Sequence, residues 1–284
     1  MRLLDGKALS GIIKGQLKQK TAALKERHSK VPGLAVILVG NDPASEIYVE
    51  MKAKACAEVG IYSVVHKMPE TVGQDEIVDT IRMINANPHL DGLLVQLPLP
   101  KQIKSEALLE KIAIEKDVDG FHPHNLGKLF TGLDTFAPCT PLGVMRLLEE
   151  YQIGVDGKNA VVVGASNIVG KPMAALLLNA GATVDICHIL TGDLSEHTKK
   201  ADILVVGVGK PGLITGDMIK EGAVAIDIGT SKVEGKLRGD VEFESAAKKC
   251  SFITPVPGGV GPMTIAMLLS NTLKAAEINV TREQ

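Results

Sequence analysis

The chain has 284 residues, 45% of them hydrophobic and 23% charged, with a net charge of −2. That length accommodates two domains, and the near-neutral charge, with no long run of one sign, leaves no electrostatic footprint for nucleic acid. No apolar run approaches the ~20 residues needed to span a bilayer and the N-terminus carries no apolar leader-like stretch, so a cytoplasmic protein without membrane contact is expected.

Strand and helix patterns alternate along the chain. A helical apolar pattern (Leu9, Ile12, Ile13, Leu17) covers residues 7–28. The continuous apolar run from Leu34 to Val39 predicts a buried parallel strand. A helix follows over residues 43–59, with Asp42 as N-cap and Pro43 in the first helical position. Next come a strand at 62–65, a helix at 74–85 and a buried strand at 91–95. That last strand runs into Gln96-Leu97-Pro98-Leu99-Pro100, where two prolines end it. A helix at 104–113 and the polar segment 115–120 close the first half. Residues 120–141, with Pro123, Gly127, Gly132, Pro138 and Pro141, read as an inter-domain loop. The second half gives a helix at 143–150, a strand from Asn159 into Gly164, a helix at 170–180 and a strand at 182–187. A helix at 195–200, a strand at 202–206, a helix at 215–221 and a strand at 223–228 follow. A hairpin at 233–241 turns at Glu234-Gly235, a short strand covers 252–254 and a final helix begins near Pro262. Aromatic content is 3% with no Trp, so the core is aliphatic, which suits parallel sheets covered by helices. The fold class expected is two α/β domains, the second a Rossmann-like parallel sheet with helices on both faces.

Tyr48 and Lys52 lie at i and i+4 and so share one helix face at a strand-to-helix junction. An isolated Tyr-x-x-x-Lys is more often a surface lysine beside a half-buried tyrosine. Gly164-Ala165-Ser166-Asn167-Ile168-Val169-Gly170 follows an apolar strand and precedes a helix, the setting of a dinucleotide-binding turn. Its spacing is G-x-S-x-x-x-G where the common form is G-x-G-x-x-G. Gly164 permits the tight turn, Gly170 the close packing of helix on sheet, and the helix N-terminus offers N–H groups to phosphate. Gly207 and Gly209 form a second turn, and Thr230 follows another strand end, all on the carboxyl edge where such sheets bind ligands. At the position where an acidic residue would hold an adenosine ribose, or an Arg its 2′-phosphate, the chain reads Cys187-His188-Ile189-Leu190-Thr191. Neither clamp is present, and Asp185 sits inside the strand. Cys187 and His188 are adjacent strand residues facing opposite ways, which argues against a nucleophile–base pair. His122 and His124 have no supporting carboxylate or Cys cluster, so no metal is expected. Cys56, Cys139, Cys187 and Cys250 contain no C-x-x-C and read as reduced thiols.

Taken together the motifs resemble one family, the bifunctional 5,10-methylenetetrahydrofolate dehydrogenase/5,10-methenyltetrahydrofolate cyclohydrolases of one-carbon metabolism. The resemblance covers nearly the whole chain. It runs through Asp42-Pro43-Ala44-Ser45 with Tyr48 and Lys52, Asp91 to Pro100, Lys116-Asp117-Val118-Asp119-Gly120, Pro138-Cys139-Thr140-Pro141, the turn at 164–170 and Thr254 to Thr264. In short-chain dehydrogenases a Tyr-x-x-x-Lys pair follows the glycine turn, whereas here it precedes it. The resemblance implies that residues 1–140, completed by the helix at about 262–284, form the catalytic, folate-binding domain. Residues 141–261 would form the dinucleotide domain, with a cleft between the two. It makes Lys52, Tyr48, Gln96 and Asp119 the catalytic set, Asp119 being the pterin ligand. Val95, Leu97, Pro257, Gly258 and Gly259 would line the substrate with them. Ala165, Ser166 and Ile189 would join Gly164, Gly207, Gly209 and Thr230 around the cofactor. It further implies a homodimer.

The implied chemistry suits these side chains. Oxidation moves a hydride from the one-carbon bridge between N5 and N10 to nicotinamide, which demands mainly orientation of two ligands. Hydrolysis of the resulting methenyl cation to 10-formyltetrahydrofolate needs proton transfer, for which Lys52 is the candidate, held by Gln96. The Asp119 carboxylate can accept hydrogen bonds from pterin N–H groups. Many members have Arg at the position of Ala165 and Ser followed by a basic residue at Ile189 and Leu190. Those side chains hold the 2′-phosphate, so NADP is expected as cofactor with NAD possible. Two other classes stay open: a different two-domain dehydrogenase, and a non-catalytic binder of folate or nucleotide.

Overall fold

The computed structural model describes residues 1–282; the last two residues of the expected C-terminal helix at 262–284 lie outside them. The chain divides into two units. The first comprises residues 12–128, 135–137 and Ile265 onward; the second comprises residues 1–11, 129–134 and 138–264.

The first unit is built on a three-stranded parallel sheet in the order Tyr62–Met68, Gly33–Val39, Gly92–Val95. Every residue of the central strand is buried, which is why it reads as an unbroken apolar run. Ala35, Ile37 and Val39 share a core with Leu93, Val95 and the apolar stripe Ile77, Ile81 and Ile84 of the helix Gln74–Ala86. The helix Pro43–Val59 starts where the sequence sets it: the Asp42 carboxylate accepts the Ser45 N–H at 2.8 Å, and Pro43 occupies the first turn. It ends at Gly60, in the left-handed region at φ 79°. Asp91, fully buried, ties this unit together. Its carboxylate accepts the Gly33 N–H at 2.9 Å, meets the Lys30 ammonium at 2.8 Å and accepts from Asn279 Nδ2 at 2.9 Å. Asn271 on the same C-terminal helix donates to the carbonyls of Val118 at 2.8 Å and Ala137 at 3.2 Å.

The second unit holds a six-stranded parallel sheet in the order Arg2–Leu3, Phe252–Ile253, Val224–Asp227, Ile203–Val206, Asn159–Val163, Thr183–Cys187. Val161, Val163, Leu204, Val206, Ala225 and Ile253 contribute to its core. The hairpin Ser231–Val233/Lys236–Arg238 turns through Glu234 and Gly235 at φ 49° and 79°, a two-residue connection of the kind that suits strand twist.

The two α/β sheets agree with the expected fold class, but several elements differ in extent. Residues 120–141 are not all loop: they contain the helix Pro123–Phe130 and the start of Cys139–Glu150. Their prolines and glycines punctuate helix ends. Pro123 sits in the first turn, Gly132 follows the C-terminus at φ 71°, and Pro141 lies in the first turn of the next helix, where its missing N–H is harmless. The helix expected at 104–113 stops at Leu109 and gives way to tight turns, and the one at 215–221 is a single 3₁₀ turn, Gly216–Met218. The strand Arg2–Leu3 was not expected; at two residues it has no periodicity and exists through parallel pairing with Phe252–Ile253. That pairing places residues 1–11 in the second unit.

Replacing Asp91 by Ala strips the acceptor from the Gly33 amide and from Lys30. Breaking a buried pair from one side costs about 3 kcal/mol or more. Urea unfolding followed by circular dichroism should therefore show a loss of about 3 kcal/mol in Asp91→Ala and a smaller loss in Asp91→Asn.

Candidate active site

The residues of the first unit that carry chemistry gather where the helix Pro43–Val59 passes the end of the strand Gly92–Val95. Lys52 is buried on that helix, and its Nζ donates to Gln96 Oε1 at 2.9 Å. Gln96 is the first residue past the strand, and its own N–H still donates to Ile37 O at 2.9 Å. Its Nε2 donates to Leu97 O at 2.7 Å. The side-chain amide is thus fixed at both ends and aims its oxygen at the ammonium. Tyr48, one turn before Lys52, is half-exposed. Val95 is buried, Leu97 is half-buried, and the Leu97–Pro98 peptide is cis. The structure therefore brings Lys52 and Gln96 into direct contact, with Tyr48 on the neighbouring helical turn.

In the segment Lys116 to Gly120 the residues divide their work. Lys116 is buried and donates to Ile84 O at 3.0 Å and Asn87 O at 2.7 Å, so it caps the C-terminus of the helix Gln74–Ala86. Desolvation, only partly offset by Asp91, lowers its pKa below the ordinary lysine value. Asp117 accepts from the amides of Phe121 at 3.1 Å and His122 at 2.8 Å and from Asn125 Nδ2 at 2.8 Å. Burial raises its pKa against those hydrogen bonds. Asp119 is the half-buried carboxylate of the segment. Asp117 serves as the turn carboxylate of the segment. His122 is also used locally, its Nδ1 accepting the His124 amide at 3.0 Å. Among the described residues no group of three or more His, Cys, Asp and Glu side chains is placed to hold a metal ion.

In the second unit the glycine turn is sterically exclusive. A Cβ on Gly170 would lie 1.9 Å from Gly164 O, and one on Gly164 would lie 2.5 Å from Gly207 O. Gly164 also has φ 123°, outside the range of ordinary side chains. Ser166 Oγ accepts the amides of Val169 at 3.2 Å and Gly170 at 3.3 Å and so caps the helix Gly170–Asn179. A bare backbone turn at a helix N-terminus fits the pyrophosphate of a dinucleotide. Ala165 is half-buried beside it; Gly209 and Thr230 are exposed at neighbouring strand ends. At the end of the strand Thr183–Cys187, Ile189 and Leu190 are 97% and 85% exposed, and Asp185 is engaged with His197 Nδ1 at 3.2 Å. Pro257, Gly258 and Gly259 form the turn entering the last helix; Gly258 O accepts the Lys7 amide at 2.8 Å. Asp227, at the end of Val224–Asp227, accepts three backbone amides: Gly229 at 2.9 Å, Asp240 at 3.0 Å and Val241 at 2.8 Å. Burial still pushes its pKa up to about 6. The sequence marks Asp227 only as a strand end, in Asp227-Ile228-Gly229-Thr230, and gives Asp240 in Gly239-Asp240-Val241 no signal of its own.

Two family models account for most of the chain. The catalytic domain of tetrahydrofolate dehydrogenase/cyclohydrolase matches residues 4–119, and the NAD(P)-binding domain of the same enzyme matches residues 138–280. The bifunctional protein FolD of Nitratiruptor sp. is 68% identical over 277 residues, 98% of each chain. The crystal structure of the bifunctional FolD dehydrogenase/cyclohydrolase from Campylobacter jejuni superposes with a TM-score of 0.96 at 55% identity, covering 98% of this chain and 99% of that one. That of Trypanosoma brucei, complexed with NADP and an inhibitor, gives 0.93 at 40% identity over 97% of each chain. The chain belongs to the tetrahydrofolate dehydrogenase/cyclohydrolase family, and it is both an oxidoreductase and a hydrolase of folate one-carbon units.

Proposed function

We propose that the protein oxidises 5,10-methylenetetrahydrofolate with NADP and hydrolyses the methenyl product to 10-formyltetrahydrofolate, with Lys52 as the proton-transfer group of the second step. The observation that carries the assignment of Lys52 is the 2.9 Å contact from its buried Nζ to a Gln96 whose amide is itself anchored. A lysine side chain restrained in that way has few rotamers to lose when substrate arrives. Water addition to the methenyl carbon releases a proton to the Lys52 side chain in its neutral amine form; opening of the bridge takes that proton onto the departing nitrogen, while the new hydroxyl loses its own proton to solvent as it becomes the formyl carbonyl. Tyr48 borders the same helical turn and shapes the folate pocket. Asp119, the half-buried carboxylate of its segment, takes the pterin N–H groups. Val95, Leu97 and Pro257 to Gly259 complete the substrate-binding set.

NADP, when bound, accepts the hydride. Gly164, Ala165, Ser166, Gly207, Gly209 and Thr230 would hold it, with Ile189 at the adenosine end. The wholly exposed Ile189 and Leu190 offer no cation to a 2′-phosphate. Residues 1–140 with the C-terminal helix are proposed as the folate domain and 141–261 as the dinucleotide domain. A cytoplasmic homodimer with no nucleic-acid or membrane partner is part of the same proposal. The net charge of −2 supports the lack of a nucleic-acid partner, and among the described residues no helix is long and apolar enough to cross a membrane.

Incubation with methylenetetrahydrofolate and NADP, followed at the methenyl absorbance, should show formation and then decay of that compound; no transient with either nucleotide would remove the proposed activity. Lys52→Met should lower hydrolysis of added methenyltetrahydrofolate by about a hundredfold or more while folate binding stays measurable. Retained hydrolysis would exclude Lys52 from the role. Titration of NADP and NAD at two ionic strengths should give affinities within about tenfold of each other and little salt dependence, the outcome expected when no Arg–phosphate pair forms.

A further inference from the structure

Beyond the strand Ile203–Val206 the chain enters the turn Gly207–Lys210, one wall of the glycine-lined edge described above. Gly207 keeps one sheet hydrogen bond, donating to Val163 O at 2.9 Å. The next two amides leave the sheet. Val208 N and Gly209 N both donate to a single oxygen, Oδ2 of Asp240, at 2.6 Å and 2.9 Å. Asp240 is fully buried, and its other oxygen, Oδ1, is buried without a hydrogen-bond partner among the described residues. For stability alone this is a poor arrangement. A buried carboxylate with one orphan oxygen carries a desolvation penalty that a neutral acceptor would largely avoid. A group of that kind is held in place by its surroundings, and here the surroundings are Asp227, which accepts the Asp240 amide, and Thr254, whose Oγ1 accepts the Asp227 amide at 2.8 Å.

The peptide geometry says what the arrangement does. In a trans peptide the C=O points opposite to the following N–H. With the Val208 and Gly209 amides turned onto Asp240, the carbonyls of Gly207 and Val208 point the other way. Gly207 O does lie on the Gly164 side, against the site a Gly164 Cβ would fill. The turn therefore shows acceptors, not donors, to the glycine-lined edge. Acceptors do not suit phosphate; they suit the hydroxyl or carboxamide N–H groups of a dinucleotide.

We propose that Asp240 is a positioning residue for the dinucleotide. Its buried carboxylate fixes the Val208 and Gly209 amides so that the carbonyls of this turn face the cofactor, and it thereby controls hydride transfer without affecting hydrolysis. The inference rests on the proposed bifunctional reading, and its test separates the two. In Asp240→Asn and Asp240→Ala the KM for NADP in methylenetetrahydrofolate oxidation should rise about tenfold or more, the worth of one to two charge-assisted hydrogen bonds. Hydrolysis of added methenyltetrahydrofolate, assayed without nucleotide, should stay within about twofold of the parent. An unchanged KM for NADP, or oxidation and hydrolysis falling by one common factor, would overturn the proposal. If neither variant is soluble, amide hydrogen exchange on the parent decides: Val208 and Gly209 should be protected, and exchange at the rate of an open loop would overturn it. A parent protein that shows no hydrolysis at all would sink the functional reading instead, and the exchange measurement would still stand on its own.

Discussion

A parallel sheet satisfies its backbone amides only while strands lie side by side; where a strand enters or leaves the sheet, buried N–H groups need other acceptors. Buried aspartates meet that need throughout this protein. Asp91 receives the amide that opens the strand Gly33–Val39, and Asp117 receives those that lead into the helix Pro123–Phe130. Asp227 receives three amides where Val224–Asp227 ends. Each carboxylate loses hydration, which is why burial raises the pKa of Asp117 and Asp227 even though every hydrogen bond they accept works the other way. The alternative, an orphan amide at the sheet edge, costs about as much and gives no positional control.

The same edges carry the chemistry. Gln96 is the first residue beyond a buried strand, and the glycine turns begin one residue beyond two others. A strand buried on both faces is the least mobile part of such a fold, so a side chain placed just past its end inherits that rigidity while still reaching solvent. The Lys52–Gln96 contact joins one such strand end to a helix whose start is fixed by Asp42. Position is thereby defined from two elements at once.

Much of this was legible in the residues. The buried strands were clear because parallel strands covered on both sides become unbroken aliphatic runs, as in Leu34 to Val39. The helix at Pro43 was clear because cap and proline are local signals. Residues 120–141 were misread because proline and glycine mark helix ends as readily as loops, and only the partners, such as Asp117 with the His122 amide, distinguish the two. Arg2–Leu3 gave no pattern because its stability lies wholly in a distant partner strand. The family motifs pointed to Tyr48, Lys52, Gln96 and Asp119 together. They said nothing of Asp117, whose work as a capping carboxylate shows only in its contacts with the amides of Phe121 and His122. Asp240 was invisible for the same reason: its contacts are to backbone atoms of residues some thirty positions away, which leave no compositional trace.

The first unit joins distant parts of the chain: Asn271 and Asn279 reach Val118, Ala137 and Asp91 from the C-terminal helix. A ribosome delivers the N-terminal strands long before that helix. Until it arrives, the carbonyls of Val118 and Ala137 lack the Asn271 donor and the Asp91 carboxylate lacks that of Asn279. The nascent lobe is thus left incomplete through synthesis of residues 138–264, a window in which protection by a chaperone would matter most.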